Sequence, residues 1–282
     1  VDHNLFKREA TRVESVRMLP GGDALNVAVV LSKLGVESGL ITKTGEDITS
    51  EVILKFLSDE GVDTSAVVRE PSRSTSTCMV LVQKSGERNF VTMKGAHHYL
   101  DSRDIDWDYL KTAKLVNISS LFALDSFTVD EAVTVLSFCR NHNILTSMDF
   151  MYDKTGKRIQ DVHKIFPLLD YAFPSEAEAR QLTGESDVRA MAAQLFDMGC
   201  PHVVITQGER GCFIKNNDLE KQIPAMQVEV VDTTGAGDSF VAAYIYGVLH
   251  GWDEEKCGTF AGKIGALNCR EIGATAGIPA DT

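Results

Sequence analysis

Apolar residues along this chain alternate between short runs and stretches with a helical period. Residues 25–34 are almost wholly apolar and end at Gly35, the form of a buried helix closed by glycine. Ile48, Val52, Ile53, Phe56 and Leu57 fall on one helical face that stops at Gly61. Thr128 and Glu131 fit a capping box that opens a helix through Val133 and Leu136. Val188, Met191, Ala192, Leu195 and Phe196 form a further face ending at Gly199, and Phe240, Val241, Tyr244, Ile245, Val248 and Leu249 form another. Between these helices, residues 115–118, 144–148, 203–206 and 228–231 read as strands. Such alternation predicts an α/β fold with a mainly parallel sheet and helices on both faces. Ligands of such folds sit at the carboxyl ends of the strands.

Residues 74–93 depart from this rhythm. They are rich in Thr, Val and Cys around a turn, Lys84-Ser85-Gly86-Glu87, and predict a β-hairpin. With the polar segment 3–17, the hairpin could form a small sheet beside the main domain, either as a lid over a ligand cleft or as an edge ornament. The chain opens at Val1 without a signal peptide or a complete first strand, so a preceding segment is expected.

Composition narrows the class. Hydrophobic residues make up 44% and charged residues 24%, and no apolar run approaches the roughly 20 residues of a membrane span. A net charge of −12, from 28 Lys+Arg against 40 Asp+Glu, opposes encounter with a phosphate polymer, so nucleic acid and membrane are not expected partners. Six scattered cysteines and seven histidines show no metal or disulfide spacing, which points to the reduced cytoplasm. The sequon at Asn117 falls in a predicted buried strand and reads as chance.

Three segments carry chemistry. The strongest, residues 231–240, follows a predicted strand and opens a helix. Gly235, Ala236 and Gly237 let backbone N–H groups approach a ligand at the positive end of the helix dipole, an anion site suited to phosphate. Asp238 at its mouth is either an ordinary acid of a helix N-terminus or a general base for a hydroxyl. Gly21-Gly22-Asp23-Ala24-Leu25-Asn26 is the second. Asp23 and Asn26 there either cap the helix or bind ligand hydroxyls. The third, residues 206–211, is by itself a glycine turn between strands. A Rossmann fingerprint fails at Phe240, and a Walker loop fails at Cys257 and Ile264.

Taken together and in this order, these segments resemble the ribokinase-like PfkB carbohydrate kinases. The family's paired glycines and Asn match Gly21, Gly22 and Asn26, and its D-T-x-G-A-G-D pattern matches Asp232 to Asp238 at every fixed position. Gly45, Asp47, the stretch 61–64, Gly86-Glu87-Arg88 and the stretch 174–178 extend the likeness over nearly the whole chain. The resemblance implies a three-layer α/β/α sandwich with a mainly parallel central sheet and a small β lid. Residues 1–3, 21–71 and 99–282 would form the core, and 4–20 with 72–98 the lid. It further implies transfer of the γ-phosphoryl group of MgATP to a hydroxyl of a small sugar, with Asp238 as base and Gly235, Ala236 and Gly237 as anion hole. Gly22, Asp23, Asn26 and Asp2 would hold the sugar, and Ser175, Thr206, Gly208 and Gly211 the nucleotide. Glu178 would organise water around Mg2+, although Ser175 stands where the family carries Asn. Asp232, Thr234 and the backbone of Gly273 would hold K+. No role passes to Asp153 or Arg158. Asp23, Phe90-Val91-Thr92, the run 211–215 and Gly273-Ala274-Thr275 resemble one sugar-kinase branch, which suggests a polyol ligand. A homodimer through the lid is expected. The alternatives are a nucleoside kinase of the same family and a non-catalytic sugar-binding protein.

Overall fold

The computed structural model describes residues 9, 13–82, 88–154, 156 and 159–279, with the side chains of Arg88 and Gln160 left aside. Helix α1 (Asp23–Lys33) leads to β1 (Thr42–Gly45), α2 (Ile48–Asp59) and β2 (Val67–Glu70). The hairpin β3 (Thr77–Val82) and β4 (Arg88–Met93) follows. The chain then alternates: α3 (Trp107–Leu110), β5 (Leu115–Ile118), α4 (Val129–Asn141), β6 (Leu145–Asp149) and β7 (Tyr171–Phe173). Next come α5 (Glu176–Thr183), α6 (Val188–Asp197), β8 (His202–Thr206), β9 (Cys212–Lys215) and β10 (Glu220–Ile223). Helices α7 (Ala236–Leu249) and α8 (Glu254–Asn268) close the fold.

Six strands make the central sheet in the order β10-β9-β8-β7-β6-β5. Strands β5 to β8 run parallel, whereas β9 and β10 pair antiparallel at one edge. Met148, Ala172, Val203, Val204 and Ile205 are fully buried, because helices cover both faces of the sheet. Leu136 of α4 and Leu195 of α6 pack with Met148 and Phe166 in one core cluster, Val30 of α1, Tyr244 of α7 and Ile264 of α8 form a second, and Val29 of α1 with Leu57 of α2 a third. This is the expected three-layer order. No helix among the described residues is long and apolar enough to cross a membrane.

The hairpin forms its own two-stranded sheet, in register from Thr77↔Met93 to Val82↔Arg88. Its root is tied down. Ala96 N–H donates to Ser74 O (2.9 Å), Gly95 N–H to Ser76 Oγ (2.7 Å), and the Asp47 carboxylate accepts from Thr75 N–H and Oγ1 (both 2.7 Å). Beyond the root the strands are open, with Met79 and Phe90 exposed.

Several expectations need correction. Residues 228–231 are not a strand: Val230 and Val231 are more than half exposed (58% and 55%), and with no sheet beside them the Val231 and Asp232 amides turn to Cys269 O at the end of α8. The apolar face drawn on α2 is only half real. Leu57 is buried but Ile48 is 78% exposed, because the start of this helix is fixed by polar contacts, Ser50 N–H to Asp47 and Ser50 Oγ to Thr44. The capping box of α4 is a half box: Thr128 accepts from Glu131 N–H, but the Glu131 carboxylate accepts instead from Ser102 N–H (2.6 Å). Residues 13–22 form no strand, and the 84–87 turn and the segments 3–8 and 10–12 lie outside the described residues.

Candidate active site

Helix α7 is buried along most of its length, from Ser239 to Ile245, whereas its first turn is open. Gly235 caps it in a left-handed conformation (φ 74°), and a Cβ there would lie 2.1 Å from Ala274 O. Only glycine satisfies both demands. At Gly237 a Cβ would meet nothing within 4 Å. Of the first-turn amides of α7, that of Ala236 donates to Thr233 O (3.2 Å), whereas those of Gly237 and Asp238 show no hydrogen bond among the described residues and stand at the positive end of the helix dipole. The Asp232 carboxylate braces this loop: Oδ1 accepts from Thr234 N–H (3.1 Å) and Oγ1 (2.8 Å), and Oδ2 accepts from Gly273 N–H (3.2 Å).

Helix α1 brings a second N-terminus to the same place. Its cap is Gly22 (φ 122°), with no side-chain cap bond. The capping reading of Asp23 and Asn26 is thereby overturned. Asn26 is buried in the first turn, where its own N–H donates to Gly22 O. Its Nδ2 donates to Asp238 Oδ2 (2.7 Å), and its Oδ1 is buried without a partner among the described residues. Asp23 Oδ2 accepts instead from Ser120 Oγ.

A third carboxylate completes the cluster. Asp149 ends β6 and is buried. It accepts from Ser119 Oγ (2.6 Å), Asn117 Nδ2 (3.0 Å) and Ser120 N–H (3.1 Å), all at the carboxyl end of β5. Burial raises it to about 7, with the Asp23 charge adding to the rise and these donors opposing it. Burial first, then the Asp23 and Asp149 charges, raise Asp238 well above the ordinary carboxylate range, and Asn26 opposes this. Asp23 is raised by burial as well. An acid raised in this way is a stronger base once ionised, which is what removal of a hydroxyl proton requires.

The sequence reading overlooked Asp149, Asn117, Ser119 and Ser120. The signal was present: an acid closes a strand at the ligand-binding end of a parallel sheet. The Asn117 sequon is accounted for by this inward-facing network.

The remaining candidates line the carboxyl ends of β7 and β8. Ser175 caps α5 in a complete box: its N–H donates to Glu178 Oε2 (2.7 Å) and its Oγ accepts from Glu178 N–H (3.4 Å). Burial and then the Asp23 charge raise Glu178, placing it on the same field as the carboxylate cluster. Thr206 bridges to Ser175 across the strand ends. Gly208 and Gly211 shape the β8–β9 turn with positive φ (58° and 90°), and Gln207 N–H closes it on Gly211 O (2.8 Å). Thus Gly22, Asp23, Asn26, Asp238 and Gly235 to Gly237 come together, with Ser175, Glu178, Thr206, Gly208 and Gly211 along neighbouring strand ends. Asp2 and Arg158 lie outside the described residues. Asp153 is pinned to α5 through Gln181. A cavity of about 1040 Å3, lined by residues of β1 and β5, reaches Gly22, Asp23, Ser119 and Ser120.

Among the described residues no three His, Cys, Asp or Glu side chains gather to hold a metal. Mg2+ that accompanies phosphate usually keeps several waters and needs few protein ligands. Residues 1–281 match the pfkB family carbohydrate kinases. The chain belongs to this family. It is accordingly a kinase, a phosphotransferase with an alcohol group as acceptor. An uncharacterized sugar kinase of Archaeoglobus fulgidus is 32% identical over 252 residues, covering 88% of this chain and 98% of the relative. A solved uncharacterized sugar kinase of Pyrococcus horikoshii superposes with TM-score 0.79 at 30% identity, over 96% of this chain and 90% of that one. Arabidopsis thaliana ribokinase, solved with ribose and ATP, shares the fold with TM-score 0.82 at 22% identity, over 96% and 88% of the two chains. The kinase is therefore ribokinase-like in architecture.

Proposed function

We propose that this kinase transfers the γ-phosphoryl group of ATP to a primary hydroxyl of a small sugar, with Asp238 as general base. The observation that carries the reading is Asp238 itself. It sits in the first turn of α7, next to the Gly237 amide, which shows no hydrogen bond among the described residues, with Asn26 donating to its carboxylate. In the reaction the acceptor oxygen bonds to the γ-phosphorus as the bond to the β–γ bridging oxygen breaks. ADP leaves, and the hydroxyl proton passes to Asp238. Gly235, Ala236 and Gly237 stabilise the charge on the transferring group. Thr206, Gly208, Gly211 and Ser175 contact the nucleotide in this reading. Mg2+, when bound, would neutralise phosphate charge, with Glu178 orienting its water shell. K+ is proposed beside the Asp232–Thr234–Gly273 brace, where it would firm the anion loop.

Asp23 and Asn26, together with Asp2, would hold the sugar hydroxyls. The hairpin would serve as the lid that excludes water, with residues 21–71 and 99–282 as the core. Its open strands and exposed Met79 and Phe90 favour pairing with a second copy, and light scattering should give a dimer. The reduced cytoplasm suits its cysteines, all free and five of them buried. ADP formation from MgATP over pentoses, hexoses, ketoses, sugar acids and nucleosides, with and without K+, tests the reading. A rise with a sugar is expected. A rise with nucleosides alone would replace it by a nucleoside kinase, and binding without any turnover by a sugar-binding protein.

A further inference from the structure

Ser120 occupies a conformation its side chain disfavours. It is one of two non-glycine residues with positive φ among the described residues (φ 55°, ψ 42°). It is buried, at the turn where the chain leaves β5. A strained residue of this kind persists where its surroundings over-determine it, and the surroundings are visible. Asp149 takes the Ser120 N–H on one oxygen and the Ser119 hydroxyl on the other. Asn117 Nδ2 donates to that second oxygen too (3.0 Å), and the Ser147 hydroxyl holds Asn117 Oδ1 in turn (2.7 Å). The backbone of the turn is thus fixed from beneath. What the strained turn delivers is the Ser120 hydroxyl, which donates to Asp23 Oδ2 across a separation of 97 residues.

We infer that Ser120 is a specificity-determining positioning residue, held by Asp149, which commits one oxygen of Asp23 and leaves the other to accept from a sugar hydroxyl next to the phosphorylated one. Among the described residues Asp23 Oδ1 has no hydrogen-bond partner. Helix α1 places Asp23 one turn before Asn26, whose amide reaches Asp238. The hydroxyl read by Asp23 therefore lies close to the one that reacts. A carboxylate free to rotate would accept from several geometries, whereas one pinned by Ser120 accepts from one. The substrate class this selects is a polyol with adjacent hydroxyls, over its deoxy analogue. This deepens the sugar-kinase reading and rests on it.

The test uses Ser120→Gly, which suits the left-handed backbone and removes the hydroxymethyl group, with Ser120→Ala, which removes the hydroxyl alone, as a second variant. Steady-state rates are measured with the sugar that wild type phosphorylates and with its deoxy analogue at the neighbouring position. A hydrogen bond to a charged group corresponds to roughly a 10- to 100-fold change. We expect KM for the sugar to rise by about 10-fold or more, kcat to change by less than about 3-fold, and KM for ATP to stay put. Rates with the deoxy analogue should fall by a clearly smaller factor, so discrimination between the two substrates should narrow. Equal losses on both substrates would reduce Ser120 to a structural residue and overturn the inference. A second readout needs no turnover. The 13C carboxyl signal of Asp23, assigned by its loss in Asp23→Asn, should move in Ser120→Gly at fixed pH. If wild type phosphorylates no sugar, the functional reading fails on its own, and an unmoved Asp23 signal would separately refute the Ser120 contact.

Discussion

Replacing Asn26 by leucine should move the pH dependence of turnover in a direction fixed by the structure. Asn26 Nδ2 is the one side-chain donor to Asp238 in the described cluster, at 2.7 Å, and it opposes a rise caused by burial and by Asp23 and Asp149. Leucine keeps the approximate size, removes the donor, and also removes the buried Oδ1 that lacks a partner. A hydrogen bond to a charged group is worth about 1.5–3 kcal/mol, and one pKa unit about 1.36 kcal/mol. The acid limb should therefore rise by about 1–2 pH units. The sign is unambiguous. Asp238 must be ionised to accept a proton, so turnover climbs with pH through its pKa, and raising that pKa moves the climb upward. The assay is kcat against pH at saturating sugar and MgATP, which reports the enzyme–substrate complex. Its limb is an apparent value of the three-carboxylate cluster, because strongly interacting acids titrate together. Well below the limb the variant should fall behind wild type by about 10- to 100-fold, and above it the two should converge. An acid limb that stays in place, or moves down, would refute the reasoning.

Stability should also carry the mark of the cluster. A carboxylate whose pKa is raised by folding takes up protons on folding. Its contribution favours the fold below the unfolded value of about 3.9 and is lost as pH rises through the folded value, by up to about 1.4 kcal/mol per pH unit per group. Asp149 spans the interval up to about 7, and Asp238 and Asp23 are raised too. Wild type should thus melt lower at pH 8 than at pH 5, and Asp238→Asn should melt higher than wild type at pH 8 while converging with it near pH 4. Melting curves that show the reverse order would contradict the burial of this charge. Gly235→Ala should cost at least ~10² in kcat, the scale of losing one oxyanion donor, because a Cβ 2.1 Å from Ala274 O must displace the loop. Rates within about 3-fold of wild type would show that the loop does not position phosphate.

The parts legible in the sequence were those with a local cause. Gly35, Gly61 and Gly199 take positive φ at the ends of helices α1, α2 and α6, as their position after an apolar period implies. The stretch from Asp232 to Asp238 is contiguous, so its glycine cap and first-turn acid could be read together. What escaped was non-local. Asp149 is a single acid ending a strand, and its partners Asn117, Ser119 and Ser120 lie about 30 residues away, brought near only by the β5–β6 pairing. Asn26 looked like a helix cap because nothing in the local sequence reveals Asp238, 212 positions on. Residues 228–231 looked like a strand because their valines satisfy the pattern. Whether a neighbouring strand is there to pair is a property of the whole sheet.

The central claim is that Asp238 removes the acceptor proton, and the direct measurement is a single-turnover assay of wild type against Asp238→Asn. MgATP is kept in excess and a radiolabelled sugar that supports ADP formation is the limiting reactant. The account predicts that Asp238→Asn still binds nucleotide and sugar, with affinities close to wild type, and that phosphoryl transfer falls by about 10²–10⁴, the range of a lost general base. Transfer at the wild-type rate by a folded Asp238→Asn protein would contradict it.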